Sequence, residues 1–199
     1  MKWAGAKICV LAFAIVVSMS SLLTGQERRE RPWATYRGGD GPGQGKTIVF
    51  VTGDEEYRSE ESMPMLAKIL ATHHGFRCIV LFAINKDTGE IDPLTVDNIP
   101  GLQNLERADL MVLFTRFREL PDEQMKCIMD YTNSGKPIIA LRTATHPFNY
   151  AKHKDSPYAK WSWQNKEPGF EGGYGRQVLG ETWISHYGDH QKESTLAYP

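Results

Sequence analysis

Four apolar runs punctuate the chain between Lys46 and Leu141, each bracketed by polar or glycine-containing segments. Thr47-Ile48-Val49-Phe50-Val51 is continuous rather than alternating, which predicts a strand covered on both faces. Residues 77–82, 109–114 and 137–141 have the same character. Between the first two runs, Met63, Leu66, Ala67, Ile69 and Leu70 recur at helical spacing, and His73-His74-Gly75 supplies a stop. Between the last two, Pro121 suits a first helical position and Asp122 and Glu123 suit the positive end of a helix. Met125, Ile128, Met129 and Thr132 then share a face before Gly135. The second and third runs are joined by an extended loop through Asp92-Pro93 and Ile99-Pro100-Gly101, with one short helical stretch. Strand, helix, strand, strand, helix, strand predicts an α/β domain built on an open parallel sheet with right-handed crossovers.

The pattern is different at both ends. Lys2 and Lys7 precede the apolar run 8–17, and polar Gln26-Glu27-Arg28-Arg29 follows. A basic start, a short apolar centre and a polar exit describe a secretory leader, residues 1–25, either removed or kept as an N-terminal anchor. Export to the periplasm or the exterior is therefore expected, with membrane contact only through this segment. Residues 26–45 contain Gly38-Gly39-Asp40-Gly41-Pro42-Gly43-Gln44-Gly45 and read as a flexible linker, placing the domain at 46–199. This glycine run precedes a strand, whereas phosphate-cradling glycines follow one, so it is not a phosphate loop. After Thr145 the periodicity fades: residues 146–176 hold Tyr150, Tyr158, Trp161, Trp163 and Tyr174 among glycines and prolines, and Gln177-Val178-Leu179 suggests a short strand or helix. With no later strand or closing helix before Pro199, the expectation is a domain cut short at its carboxyl end.

Charge removes some classes of partner. Lys plus Arg total 23 against 24 acidic residues, a formal net charge of -1, which supplies no long-range attraction to nucleic acid. Cys9 falls in the leader, and Cys78 and Cys127 sit in apolar segments, where buried thiols or an oxidised pair are the readings. Neither is spaced for zinc, so a divalent metal would need His and carboxylate ligands.

Open parallel sheets bind ligands beyond the carboxyl ends of their strands. Three polar clusters fall at such ends: residues 52–58, 115–118 and 142–146. Asp54, Arg58 and Arg116 carry charges suited to orienting sugar hydroxyls or a carboxylate, and His146 is suited to proton transfer near neutral pH. The competing structural reading has Asp54 and Glu55 capping the next element, with the arginines paired to them across the loops. His186 and His190, with Glu181, Tyr187 and Asp189 nearby, suit a divalent metal, a metal-free polar site or a surface role; Gly188 between them argues against helical spacing. Cys78 lies inside a strand and Cys127 inside a helix, and no Gly-x-Ser-x-Gly is present, which disfavours covalent acyl transfer.

Residues 54–61, 114–118, 141–146 and 175–183 together resemble the ThuA-like, or trehalose-utilisation, family, with the closest likeness to exported members in planctomycete bacteria. The resemblance covers about residues 46–194. It implies a flavodoxin-like, class I glutamine amidotransferase-like fold without the amidotransferase cysteine, and indeed the turn 142–146 holds neither Cys nor Ser. It further implies a role in the use of a disaccharide or keto-sugar derivative, with a divalent metal in some members. The motif positions are Glu56, Arg58, Arg116, Arg142, His146, Glu181, His186 and His190. Among these, His146, Glu56 and Arg142 take the catalytic roles. Arg58, Arg116 and Glu181, joined by Asp54 and Trp183, bind substrate, and His186 with His190 would hold metal. The chain departs from the family pattern at Glu55 and Asp189, where the family has histidine. The rival expectation is a carbohydrate-binding protein without catalysis, using Trp161, Trp163 and Trp183 to stack on sugar faces. An inactive fragment is the third.

Overall fold

The computed structural model describes residues 31–186, 188–189 and 192–194. The expected leader (1–25) and His190 lie outside them. The compact unit begins at Pro32.

Its centre is a sheet of five strands: β1 (Trp33–Tyr36), β2 (Thr47–Gly53), β3 (Arg77–Leu81), β4 (Leu110–Thr115) and β5 (Ile138–Ala140). Their spatial order is β1-β3-β2-β4-β5. The four strands expected from the apolar runs are mutually parallel, with Val51 opposite both Leu81 and Leu113, and Leu113 opposite Ala140. Helix α1 (Ser59–His74) follows β2 and helix α2 (Asp122–Asn133) follows β4. Gly75 closes α1 in the left-handed region at φ 79, with its N–H on Ala71 O. The long β3–β4 connection contains a single 3-10 segment, Leu102–Arg107.

Alternation along the strands sorts the core into two layers. Val49, Val51, Ile79, Leu81, Met111 and Leu113 face Leu102, Leu105, Met125, Ile128 and Met129. Ile48, Phe50, Cys78, Val80, Val112 and Phe114 pack with Met63, Ala67 and Ala71 on the other face. Each buried Val, Leu, Ile, Phe or Met among these contributes roughly 1.5–3 kcal/mol, so continuous apolar strands are what two-sided burial requires.

The expected linker is a correction. Trp33–Tyr36 pairs antiparallel with β3, from Trp33 opposite Leu81 to Tyr36 opposite Cys78, so the sheet is mixed at this edge. The glycine run then packs on the end of α1. Gly43 N–H donates to His74 O at 2.8 Å, and a Cβ on Gly38 would overlap the carbonyl oxygens of Gly75 and Phe76. Here glycines permit close backbone approach rather than freedom.

After β5 the chain turns back across the sheet edge. Arg118 and Phe148 form a parallel bridge, and the 3-10 turn Ala159–Trp161 and the π-helical turn Gly175–Leu179 follow. Buried Tyr174 fixes this excursion: its ring meets Phe148 edge-on at 5.2 Å and its hydroxyl is 2.8 Å from Thr132 Oγ1 on α2. Among the described residues no helix is long and apolar enough to cross a membrane.

Candidate functional site

The sheet order places the crevice. From β2 the chain moves outward to β3, then crosses to β4 on the opposite side of β2, so the carboxyl ends of β2 and β4 flank the switch point. The loop leaving β2 is built from within. Ser59 Oγ accepts N–H bonds from Gly53 (3.1 Å) and Asp54 (3.0 Å). Asp54 is 0% exposed; its Oδ1 accepts N–H bonds from Glu56 (2.8 Å) and Tyr57, and its Oδ2 accepts the Thr143 hydroxyl. With both oxygens occupied, Asp54 ties the loop after β2 to the turn after β5. It therefore sets the crevice's shape, and the carboxylate expected to bind substrate has both oxygens engaged within the protein.

Arginines lace the same loop to β4. Arg118, only 1% exposed, donates to the carbonyls of Arg116 (2.7 Å), Pro93 (2.8 Å) and Thr95 (3.0 Å) and to Glu55 Oε2 (3.0 Å). Glu55 Oε1 takes Arg116 Nη1, so one carboxylate bridges two guanidiniums. Arg116 Nε lies 3.2 Å from Glu56 Oε2 without an aligned hydrogen bond. Arg142 stands apart: its guanidinium lies 4.6 Å from the Tyr57 ring centroid and Nη2 donates to Tyr57 Oη at 2.9 Å. Three non-glycine residues have left-handed backbones, Arg58 (φ 53), Phe117 (φ 50) and Arg142 (φ 48). They fall in the loops leaving β2, β4 and β5, where such strain is worth about 1–3 kcal/mol each and needs support from surrounding contacts.

His146 closes the turn after β5. It is 6% exposed, and burial lowers its imidazole pKa to about 4, with the Arg116 charge pushing the same way and Asp54 opposing. The ring is consequently neutral at pH 7. Its Nδ1 is 3.1 Å from Thr145 Oγ1, which leaves Nε2 as the other ring nitrogen. Three aromatic rings surround it: Phe117 at 4.8 Å, Trp183 at 5.0 Å and Trp163 at 6.2 Å between centroids. Trp163 and Trp183 also meet at 4.8 Å, and Arg116 lies over Phe117 at 4.6 Å. His146 and Phe117 are adjacent because the β4 and β5 extensions pair: Phe117 N–H donates to His146 O (3.1 Å) and Arg118 N–H to Pro147 O (2.8 Å).

The site thus gathers Asp54, Glu56, Arg116, His146 and Trp183, with Arg142 joined to the same β2 loop through Tyr57. Two other expected members stand elsewhere. Arg58 is exposed and paired with Glu61 on α1. Glu181 is exposed, with Arg176 at 3.9 Å. His186 lies 5.3 Å from Trp183, at the edge of the aromatic cluster. Gly188 adopts φ 72, which breaks the helical spacing that would set His186 and His190 on one face. His190 lies outside the described residues, and among those described no group of His, Cys, Asp and Glu is arranged to hold a metal ion. Sequence reasoning missed Tyr57, Phe117, Arg118 and Thr143 as site members, although all four lie within the strand-end clusters it had singled out.

No family model, curated protein or solved structure matches this chain. The class defined by the fold is an open, mostly parallel five-stranded α/β sheet flanked by helices, of generic flavodoxin-like type.

Proposed function

We propose that this chain is an exported ThuA-like enzyme that acts on a disaccharide or keto-sugar derivative, with His146 as the base. The observation that carries the reading is the neutral, buried imidazole walled by Phe117, Trp163 and Trp183 at the carboxyl edge of the sheet. Aromatic rings suit the apolar faces of a sugar, and an unprotonated imidazole suits proton abstraction. The four sequence blocks of the resemblance support the finer assignment to the class I glutamine amidotransferase-like branch of this fold. They carry with them the absence of a nucleophilic cysteine after β5.

In this mechanism His146 Nε2 removes the proton from the carbon beside a ketone. The C–H electron pair becomes the new C=C bond and the carbonyl pair moves onto oxygen, giving an enolate. Where the deprotonated carbon carries a hydroxyl, that hydroxyl passes its proton to the enolate oxygen while the imidazolium protonates the former carbonyl carbon, which moves the ketone by one carbon; alternatively the enolate expels a β-alkoxide, which takes the proton back from the imidazolium. Arg116 supplies positive charge beside His146, and Glu56 positions that guanidinium rather than moving protons itself. The test is incubation with 3-keto-glucosides. Turnover by the wild-type chain should fall by about 100-fold or more in His146→Ala, and equal turnover in both would sink the assignment. Saccharide binding with no product from either protein would favour the non-catalytic reading, which the same three rings also suit.

A further inference from the structure

The carboxyl edge of the sheet is crowded with guanidiniums, yet they are not equivalent. Arg58 pairs with Glu61, Arg118 with Glu55, and Arg116 with both Glu55 and Glu56. Arg142, at the same edge, pairs with no carboxylate among the described residues; its side chain donates only to the neutral Tyr57 hydroxyl, at 2.9 Å. The guanidinium plane is nonetheless held, because it lies over the Tyr57 ring at 4.6 Å. Its backbone is held too, in the left-handed region at φ 48, immediately beyond β5 and at the head of the one-turn segment that ends at His146. Arg142 is also exposed. An oriented cation without a counter-ion among the described residues, four positions along the chain from a neutral imidazole, is a group prepared for an anion from outside.

We infer that Arg142 is the recognition group for a carboxylate on the ligand, so that this site takes a sugar acid in preference to a neutral sugar. The inference rests on the carbohydrate reading above and narrows it. A planar carboxylate matches the guanidinium fork in a bidentate pair; Nη2 gives one of its two hydrogens to Tyr57, so one fork, Nη2 with Nη1 or Nη2 with Nε, has no acceptor among the described residues. Arg116 is the less suitable partner, because Glu55 and Glu56 already pair with it.

The test compares four probes on the purified protein at neutral pH and low salt by titration calorimetry: glucuronate, methyl glucoside, glucose 6-phosphate and propionate. Glucuronate should bind about tenfold or more tightly than methyl glucoside, and the preference should shrink in high salt. Arg142→Asn removes the charge while tolerating the left-handed backbone. It should bring the ratio to about one, and Arg142→Lys should restore only part of it. A cooperative thermal transition like the wild type's verifies that each variant is folded. Equal binding of glucuronate and methyl glucoside by the wild type, or a preference that survives Arg142→Asn, overturns the inference while leaving the carbohydrate reading intact. Tighter binding of glucose 6-phosphate than of glucuronate overturns the carboxylate assignment. Propionate binding as well as glucuronate, with the binding lost in Arg142→Asn, upholds the anion site and removes the carbohydrate reading. Binding of none of the four overturns both.

Discussion

Arg118 is the residue on which the crevice is hung. Its guanidinium reaches three backbone carbonyls and Glu55 from a fully buried position, so removing it leaves several unsatisfied acceptors and a Glu55 carboxylate held by Arg116 alone. Arg118→Met should cost about 3–5 kcal/mol, read as a lowered urea midpoint; a change below about 1 kcal/mol would mean the network is ornamental. Gly53 belongs to the same construction, since a Cβ there would stand 3.0 Å from Arg118 Cδ. His146 gives a pH signature. Its folded-state pKa of about 4 lies below the unfolded value of about 6.5. The unfolded chain therefore binds the extra proton between these values, and stability climbs with pH across the window and flattens above it. His146→Gln should show a shallower slope in urea unfolding between pH 4.5 and 6.5; parallel slopes would mean the imidazole is not desolvated. At this scale the sequence said least. Arg116 and Arg118 differ by two positions, and nothing in their local pattern says that one keeps a fifth of its side chain exposed while the other is wholly buried. That distinction arises from the β2 and β3 loops that close over Arg118, and such long-range contacts leave no periodic trace.

Among the elements, the strands and helices were the most legible part. The runs behind β2, β3 and β4 became strands buried on both faces while β5 lies at the sheet edge with Ile139 exposed, Pro121 and Gly75 flank the two helices, and the long β3–β4 connection kept its single short helical turn. The exception was Trp33–Tyr36. Four residues are too few to establish a period, and the glycines after them look like linker until the end of α1 is set against them. Gly38→Ala tests which description holds. Overlap with the Gly75 and Phe76 carbonyls should destabilise the domain by about 1–3 kcal/mol, whereas a flexible linker would accept alanine with no change in midpoint. The excursion after β5 was equally hard to foresee, because its aromatic residues pack singly against partners such as Phe148 and Thr132 rather than along one face.

Taken whole, the molecule brings three strand-end loops to one place: Asp54 joins the β2 loop to Thr143, Glu55 joins it to Arg116 and Arg118, and Phe117 stacks on His146. The sequence made that convergence foreseeable through the strand-end rule alone. Of the residues it singled out, Arg58 pairs with Glu61 on α1 and Glu181 lies beside Arg176. Asp54 caps no helix but ties two loops together, while Arg116 and Arg118 pair with Glu55 across the loops as the competing structural reading had it; these groups frame His146 and the tryptophans. The central claim is that this imidazole removes a proton from carbon. Proton NMR of a 3-keto-glucoside in D2O follows that step directly, through loss of the signals from the carbons beside the ketone. Exchange should be faster with the wild-type chain than without it and fall by about 100-fold in His146→Ala; equal exchange rates for the two proteins would contradict the account.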